Sequence, residues 1–425
     1  MDDLVNKALA LTSPAPKAPV PRFAIQPQAF GSPTGKAGAF KTYDEPPTMK
    51  GLKEAFDTAI RNHLSLSPAD QVQNVIAADK RLSPHTGATQ SGRGVPLLGK
   101  NAKLLKSETG YGEEEPVKLP DGRGIETTGL ALAPAYQEGK FSTCPNSASC
   151  KDECLGKTSG NYFKVGGGQD LTAFKGPRLN SLKKTIAMMR EPEAFAVKLH
   201  DEISAAKREA ARNGNHLGVR LNVLSDVNPL VHKSLIEAHP DVSFYDYTKN
   251  NSNPVAPNHH YTYSSTGVSQ PEIGVDNPHT NWKQMRRRLD GGDNVAMAFS
   301  HREHLPEVVV DQETGKRYKV INGDAHDFRP LDMQPEGTDG VIVGLKNKKA
   351  TGTTEGASRE SNGFFVNYDP KLATDASGKY VRGESQGLGP KGKPLLGPRQ
   401  PTNFEVKIPP QGRQLNLKDH EGKNE

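Results

Sequence analysis

The chain is poor in the residues that build large cores. Of 425 residues only 34% are hydrophobic and 6% aromatic, with a single tryptophan. Mean hydropathy is −0.68. The 42 glycines and 33 prolines are about half as many again as a usual share of roughly 12% would give. These figures exclude a core filling the whole length and leave room for one of roughly 200–250 residues. No apolar run reaches the roughly 20 residues needed to span a bilayer. The start, Met1-Asp2-Asp3-Leu4-Val5, lacks the basic and apolar regions of a signal peptide. The expectation is a cytoplasmic protein with no membrane partner. G-x-S-x-G, Walker A and H-E-x-x-H patterns are also missing.

Cysteine is the scarcest chemistry and the most concentrated. All three cysteines, Cys144, Cys150 and Cys154, fall within eleven residues. In a reducing compartment clustered thiols favour metal over disulfide, and an odd number cannot pair fully within the chain. The spacing is C-x5-C-x3-C. A structural zinc site takes four protein ligands, so zinc would need a distant histidine. A [4Fe–4S] cluster normally takes four thiolates. Three would leave one iron open, as in enzymes that chelate S-adenosylmethionine there. Free thiols are the plain alternative.

Organisation follows from composition and period. Residues 1–47 are Pro-, Ala- and Gly-rich and read as a disordered arm. Residues 48–90 carry two helices, over 50–63 and 67–80, as a small accessory unit. Ser67 caps the second and Pro68 suits its first turn. Residues 81–124 read as turn-rich, with a tight turn at Asp121-Gly122-Arg123-Gly124. Gly166-Gly167-Gly168 reads as a hinge. The domain over 91–370 alternates strands and helices. Strands are expected at 127–134, 219–224, 242–248, 261–265, 294–300 and 341–344. Helices are expected at 179–211, broken near Pro192, and at 229–239 and 281–289, with a hairpin over 308–322. Residues 371–425 read as a flexible tail.

Alternation of this kind implies parallel strands joined by crossovers. The expected fold class is α/β, a partial (β/α) barrel of about six parallel strands or a doubly wound sheet. Both gather ligands at the C-terminal strand ends. Those ends carry the cysteines, Ser225-Asp226, Tyr247-Thr248-Lys249, Ser264-Ser265 and Ser300-His301. The candidate site is therefore Cys144, Cys150 and Cys154 for a metal, Asp226 and Lys249 for catalysis, and Ser225 and Ser264 for cofactor contact. A second polar cluster, Asp324-Ala325-His326-Asp327-Phe328-Arg329, adds Asp324 and Asp327 as catalytic candidates and Arg329 as an anion clamp. It reads equally as a buried ion-pair turn. His259, His260, His301 and His304 are weaker ligand candidates. Arg286-Arg287-Arg288 reads as a solvated face that phosphate could meet. The net charge of +6 permits nucleic-acid contact without indicating a dedicated binder.

An ordered series of stretches carries a family resemblance. It runs from Gly99-Lys100-Asn101 through Cys144–Leu155, Arg220-Leu221-Asn222, Phe244–Lys249, Asn294–Phe299 and Asn322–Arg329 to Gly363-Phe364-Phe365-Val366. The series, from about 95 to 370, resembles the gene-product-eighty-eight-like proteins of phages and plasmids. The resemblance implies a phage or mobile-element origin and no particular reaction. A cysteine loop after the first strand of a partial barrel is also similar to radical S-adenosylmethionine enzymes. Their usual spacing is C-x3-C-x2-C, shorter in both gaps than here. Ser225-Asp226 stands where their glycine-rich motif is expected. The leading expectation is an iron–sulfur protein of this kind. The alternative is a zinc-stabilised, mildly basic module that binds nucleic acid or a host protein. A further possibility is metal-dependent hydrolysis at Asp324 and Asp327.

Overall fold

A computed structural model describes residues 47–87, 95–110, 115–134, 142–151, 154, 176–251, 253–271, 274–301, 304–332, 339–347, 363–367, 385–388, 394–396 and 405–411. The arm over 1–46 and the Gly166–Gly168 hinge lie outside these residues. Seven helices are described: α1 Met49–Leu64, α2 Pro68–Thr86, α3 Ala102–Thr109, α4 Gly176–Arg190, α5 Pro192–Arg212, α6 Lys233–Glu237 and α7 Trp282–Asp290. The helix starts are written locally. Thr48, Ser67 and Asn101 each accept a backbone N–H of the first turn of α1, α2 and α3. Pro68 and Pro192 open α2 and α5, and Pro192 separates α4 from α5 as expected.

The strands are β1 Leu98–Gly99, β2 Ile125–Leu130, β3 His216–Arg220, β4 Ser243–Thr248, β5 His259–Ser264, β6 Val295–Phe299, β7 Val308–Asp311, β8 Arg317–Asn322, β9 Ile342–Lys346, β10 Ser385–Leu388, β11 Pro394–Leu396 and β12 Glu405–Ile408. Ten of them form one sheet in the order β1-β2-β3-β4-β5-β6-β9-β8-β7-β12, and β10 pairs with β11 apart from it. Every pairing from β2 to β6, then to β9 and β8, is parallel. β1 joins β2 antiparallel, β7 joins β8 antiparallel, and β12 runs parallel to β7. The fold is mixed α/β with a mostly parallel sheet, wider and more mixed than the six-strand partial barrel expected. From β2 to β6 sheet order follows chain order, so it does not reverse there as a doubly wound sheet would.

Two boundaries differ from the sequence expectation, each for a local reason, and two elements were not expected. The second parallel strand, β3, ends at Arg220 instead of Leu224. Asn222 takes the chain out of the ladder: its side chain accepts from Ser225 Oγ and Val227 N and donates to Val227 O. β2 ends at Leu130, because the Ala133 N–H is spent on Thr185 Oγ1 of α4 at 2.8 Å. Residues 101–110, read as turn, contain α3. Within the 371–425 tail, Glu405–Ile408 pairs with β7.

Two apolar clusters flank the sheet. The larger joins Leu52 and Phe56 of α1, Phe195 and Leu199 of α5, and Val219 and Phe244 of β3 and β4. The first two helices therefore share a core with the parallel sheet. The second joins Trp282, Met285 and Leu289 of α7 to Val295, Met297, Val309, Ile342 and Ile408. Among the described residues no helix is long and apolar enough to cross a membrane.

The larger cluster holds histidines without charge. His63, His200 and His239 stack with centroids 5.2 and 4.5 Å apart. His232 is fully buried, and neither ring nitrogen has a hydrogen-bond partner among the described residues. Burial pushes the pKa of His232 and His239 down to about 3 and that of His200 to about 4. Their unfolded value is near 6.5, so the unfolded chain takes up protons that the folded chain refuses. Their contribution to stability is intact above pH 6.5 and declines as pH falls toward 4 and then 3. The expected decline is up to about 1.4 kcal/mol per pH unit for each histidine. Urea unfolding between pH 7 and 5 measures it, and His232→Leu should flatten the profile. An equal slope in both proteins would show that His232 is charged when folded.

Candidate functional site

Because β2 to β6 and β9 are parallel, their C-terminal ends share one rim. The loops leaving that rim enclose a cavity of about 470 Å³. Seven of the ten residues expected at the site line it: Cys144, Cys150, Cys154, Ser225, Asp226, Lys249 and Ser264.

The cysteine loop follows β2 and is held by its own turns and by three anchors. Ser147 N donates to Cys144 O at 3.2 Å and Cys150 N to Ser147 O at 2.9 Å. Ala148 starts a 3-10 turn with a positive φ of 43°. Thr143 O accepts from Asp226 N at 2.8 Å. Ser149 Oγ donates to Asn277 Oδ1 at 2.8 Å, and Asn146 donates to Asn250. The Cys144 thiol points to Leu224 O at 3.8 Å. Among the described residues no three His, Cys, Asp or Glu side chains are drawn together as a cage for one ion.

Asp226 is 7% exposed and is the hub of the rim. Its carboxylate accepts from Thr248 Oγ1 at 2.8 Å, Lys249 N at 2.9 Å and Asn250 Nδ2 at 3.1 Å. Burial pushes its pKa up, against the pull of Lys249. The Lys249 ammonium is hydrogen-bonded to the Cys150 sulfur. Burial opposes its charge, but Cys150, Asp226 and Cys144 outweigh burial and hold its pKa above the ordinary lysine value.

The 324–329 cluster does not line the cavity. Asp324 accepts Lys346 N at 2.9 Å. Asp327 is fully buried and pairs with Arg220 at 3.1 Å and Lys103 at 3.2 Å. Burial would raise its pKa, yet Arg220 and Lys103 bring it down to about 2. Arg329 is 1% exposed, pairs with Asp332 at 3.3 Å and donates to Asp327 O. The ion-pair turn is the geometry found, and it stands behind the cavity wall. His259, His260, His301 and His304 do not line the cavity either. Arg286 pairs with Asp311 and Glu313, and Arg288 with Asp293.

Sequence reasoning placed Tyr247 on the rim without a role and missed Lys103, Arg220, Asn222, Phe364 and Phe365, all of which also line the cavity. A signal existed for two of them: Arg220 ends an otherwise apolar strand, and Lys103 follows the helix-capping Asn101. The phenylalanines had none, since their place depends on a distant glycine contact. Gly267, at φ +100°, lies so close to Gly363 that a Cβ there would sit 2.0 Å from Gly363 O. That approach lays 363–367 beside β6, where Val366 N donates to Ala298 O at 2.9 Å.

Residues 96–367 match the family model described as Gene product 88, and the chain belongs to that family. No curated protein and no solved structure matches it.

Removing the Asp226 carboxylate should loosen the whole rim. Asp226→Ala is expected to cost about 3 kcal/mol or more, as charged hydrogen bonds are worth about 1.5–3 each, and to speed alkylation of the cysteines. Urea unfolding and timed thiol labelling test it. Labelling at the parent rate would mean that Asp226 does not hold the loop.

Proposed function

We propose that this Gene product 88 family chain carries an iron–sulfur cluster on Cys144, Cys150 and Cys154 and performs radical S-adenosylmethionine-like chemistry in the same cavity. The observation that carries the reading is the placement of the thiols. All three line one cavity, at the rim of a parallel sheet, directly after its first parallel strand.

In ligand type the donor set fits a cluster better than a single zinc, and the three thiols, which share the cavity without being drawn together, would have to close on it. Zinc would need a fourth ligand. No histidine lines the cavity among the described residues, and its one carboxylate, Asp226, already accepts three hydrogen bonds. A [4Fe–4S] cluster on three thiolates keeps one iron for an outside ligand. When bound, such a cluster supplies one electron to S-adenosylmethionine held at its open iron.

The rest is the work of the chain itself. Lys249 keeps a proton and a positive charge beside Cys150 and Cys144, which offsets the negative charge of thiolate ligands. Asp226 fixes the backbone of Thr143, next to Cys144, and of Lys249. Ser225 and Ser264 present polar groups to the cavity. Phe364 and Phe365 give it an apolar wall that keeps water from a bound ligand. Asn222 and Asp226 shape the turn after the second parallel strand, where the glycine-rich motif of the similar enzymes would be.

Purification without air tests the proposal. The expected result is a brown protein absorbing near roughly 400 nm, with about four iron and four sulfide per chain. Cys144→Ala, Cys150→Ala and Cys154→Ala should each remove most of the iron. Lys249→Met should keep the iron and move the reduction potential to more negative values, because a cation favours the reduced, more anionic state. A colourless protein with one zinc per chain would overturn the reading and favour the zinc-stabilised binding module.

A further inference from the structure

A second charged group stands at the cavity. Asp327 faces Lys103 at 3.2 Å and Arg220 at 3.1 Å. The nearby Arg329 is matched by Asp332. Asp327 pairs with both cations, while Asp324 adds negative charge beside Lys103 and Asp246 adds it beside Arg220. Both cations line the cavity, and Asp327, fully buried, does not. They also share Tyr247: Lys103 Nζ lies 5.0 Å and the Arg220 guanidinium carbon 4.6 Å from its ring centroid. Lys103 donates to the Tyr247 hydroxyl at 3.3 Å, which leaves that hydroxyl its own proton to give. Arg220 is only 8% exposed, yet its Nε–H has no acceptor among the described residues. Lys103 sits in the first turn of α3, where the positive end of the helix dipole adds to the same potential.

We infer that Lys103, Arg220 and Tyr247 form an oxyanion subsite, and that the ligand of this cavity carries a phosphate or a carboxylate. A brace between α3 and the sheet would need one cation for Asp327. It would not need a buried guanidinium with an N–H to spare. A guanidinium fork with an ammonium beside it suits a group with two or three equivalent oxygens. The inference rests on the cavity being a ligand site and is independent of which metal the cysteines hold.

Calorimetric titration of the full chain at low ionic strength, with glycerol 3-phosphate in one arm and succinate in the other, tests it. Iron is measured on the same samples, so a missing cluster and a missing anion site give separate readings. One of the two anions should bind with one site per chain, and the arm that binds identifies the oxyanion. Lys103→Gln should weaken binding roughly tenfold or more, as expected for the loss of one charge-assisted hydrogen bond. Arg220→Lys keeps the charge opposite Asp327 and loses the fork, so it should fold and still bind more weakly. Failure of both anions to bind would overturn the inference. So would parent-like affinity in both variants.

Discussion

A carboxylate buried among loops is the constraint on which this rim depends. Asp226 has lost nearly all its water, and each of its oxygens must be repaid by donors from the protein. Those donors come from the end of β4, at Thr248, Lys249 and Asn250. Its own N–H goes the other way, to Thr143 of the cysteine loop. One residue thereby ties three successive crossover loops. Backbone hydrogen bonds of the sheet stop at the strand ends, so without such a tie the loops would be free to choose their own arrangement. Leaving a buried carboxylate unsatisfied costs more than the bonds are worth singly, and this asymmetry selects one arrangement.

Asp327 does the same work one layer deeper. It holds Lys103 of α3 against Arg220 of β3, and Ser107 Oγ accepts both Asp327 N and Phe328 N at 3.2 Å. Phe328 then packs on Gly218, where a Cβ would come within 2.8 Å of its ring. The small residue in β3 makes room for the turn that carries Asp327. The two carboxylates therefore have distinct duties. Asp226 organises loops on the rim, while Asp327 fixes the cations that face the cavity. Neither has spare capacity to move a proton: one accepts three hydrogen bonds and the other is held ionised, near pKa 2, by its cations.

The sequence was most legible where one signal decided the structure. Alternating elements implied parallel strands, and parallel strands put Cys144, Ser225, Asp226, Lys249 and Ser264 on one rim before any coordinate was known. Local chemistry was legible too at Ser67-Pro68 and at Glu191-Pro192. Legibility failed where a distant partner decided. Asn222 bends the chain because Val227 and Asp246 are there to receive it, and the apolar run over 219–224 conceals this. Asp324, Asp327 and Arg329 form a polar run that suits either a site or a lock. Only the cations opposite Asp327, Lys103 and Arg220, settle on the lock, and those lie 224 and 107 residues away in the chain. Phe364 and Phe365 reach the cavity through a glycine contact with no sequence pattern.

The two charged walls also bear on how a ligand would lie. The cysteines follow β2, and Lys249, at the end of β4, is hydrogen-bonded to Cys150 and so belongs to their surroundings. Three thiolates on the proposed cluster, with one ammonium, would leave the first wall negative. Lys103 and Arg220 present their N–H donors on the second wall. An anion attached to an otherwise apolar body gains by placing its charge on the second wall and loses by placing it on the first. In a cavity with low-dielectric walls such a difference is larger than in water. The same field that recruits an anionic ligand would then turn its uncharged part toward the sulfurs, so that recognition and orientation come from one pair of opposed charges.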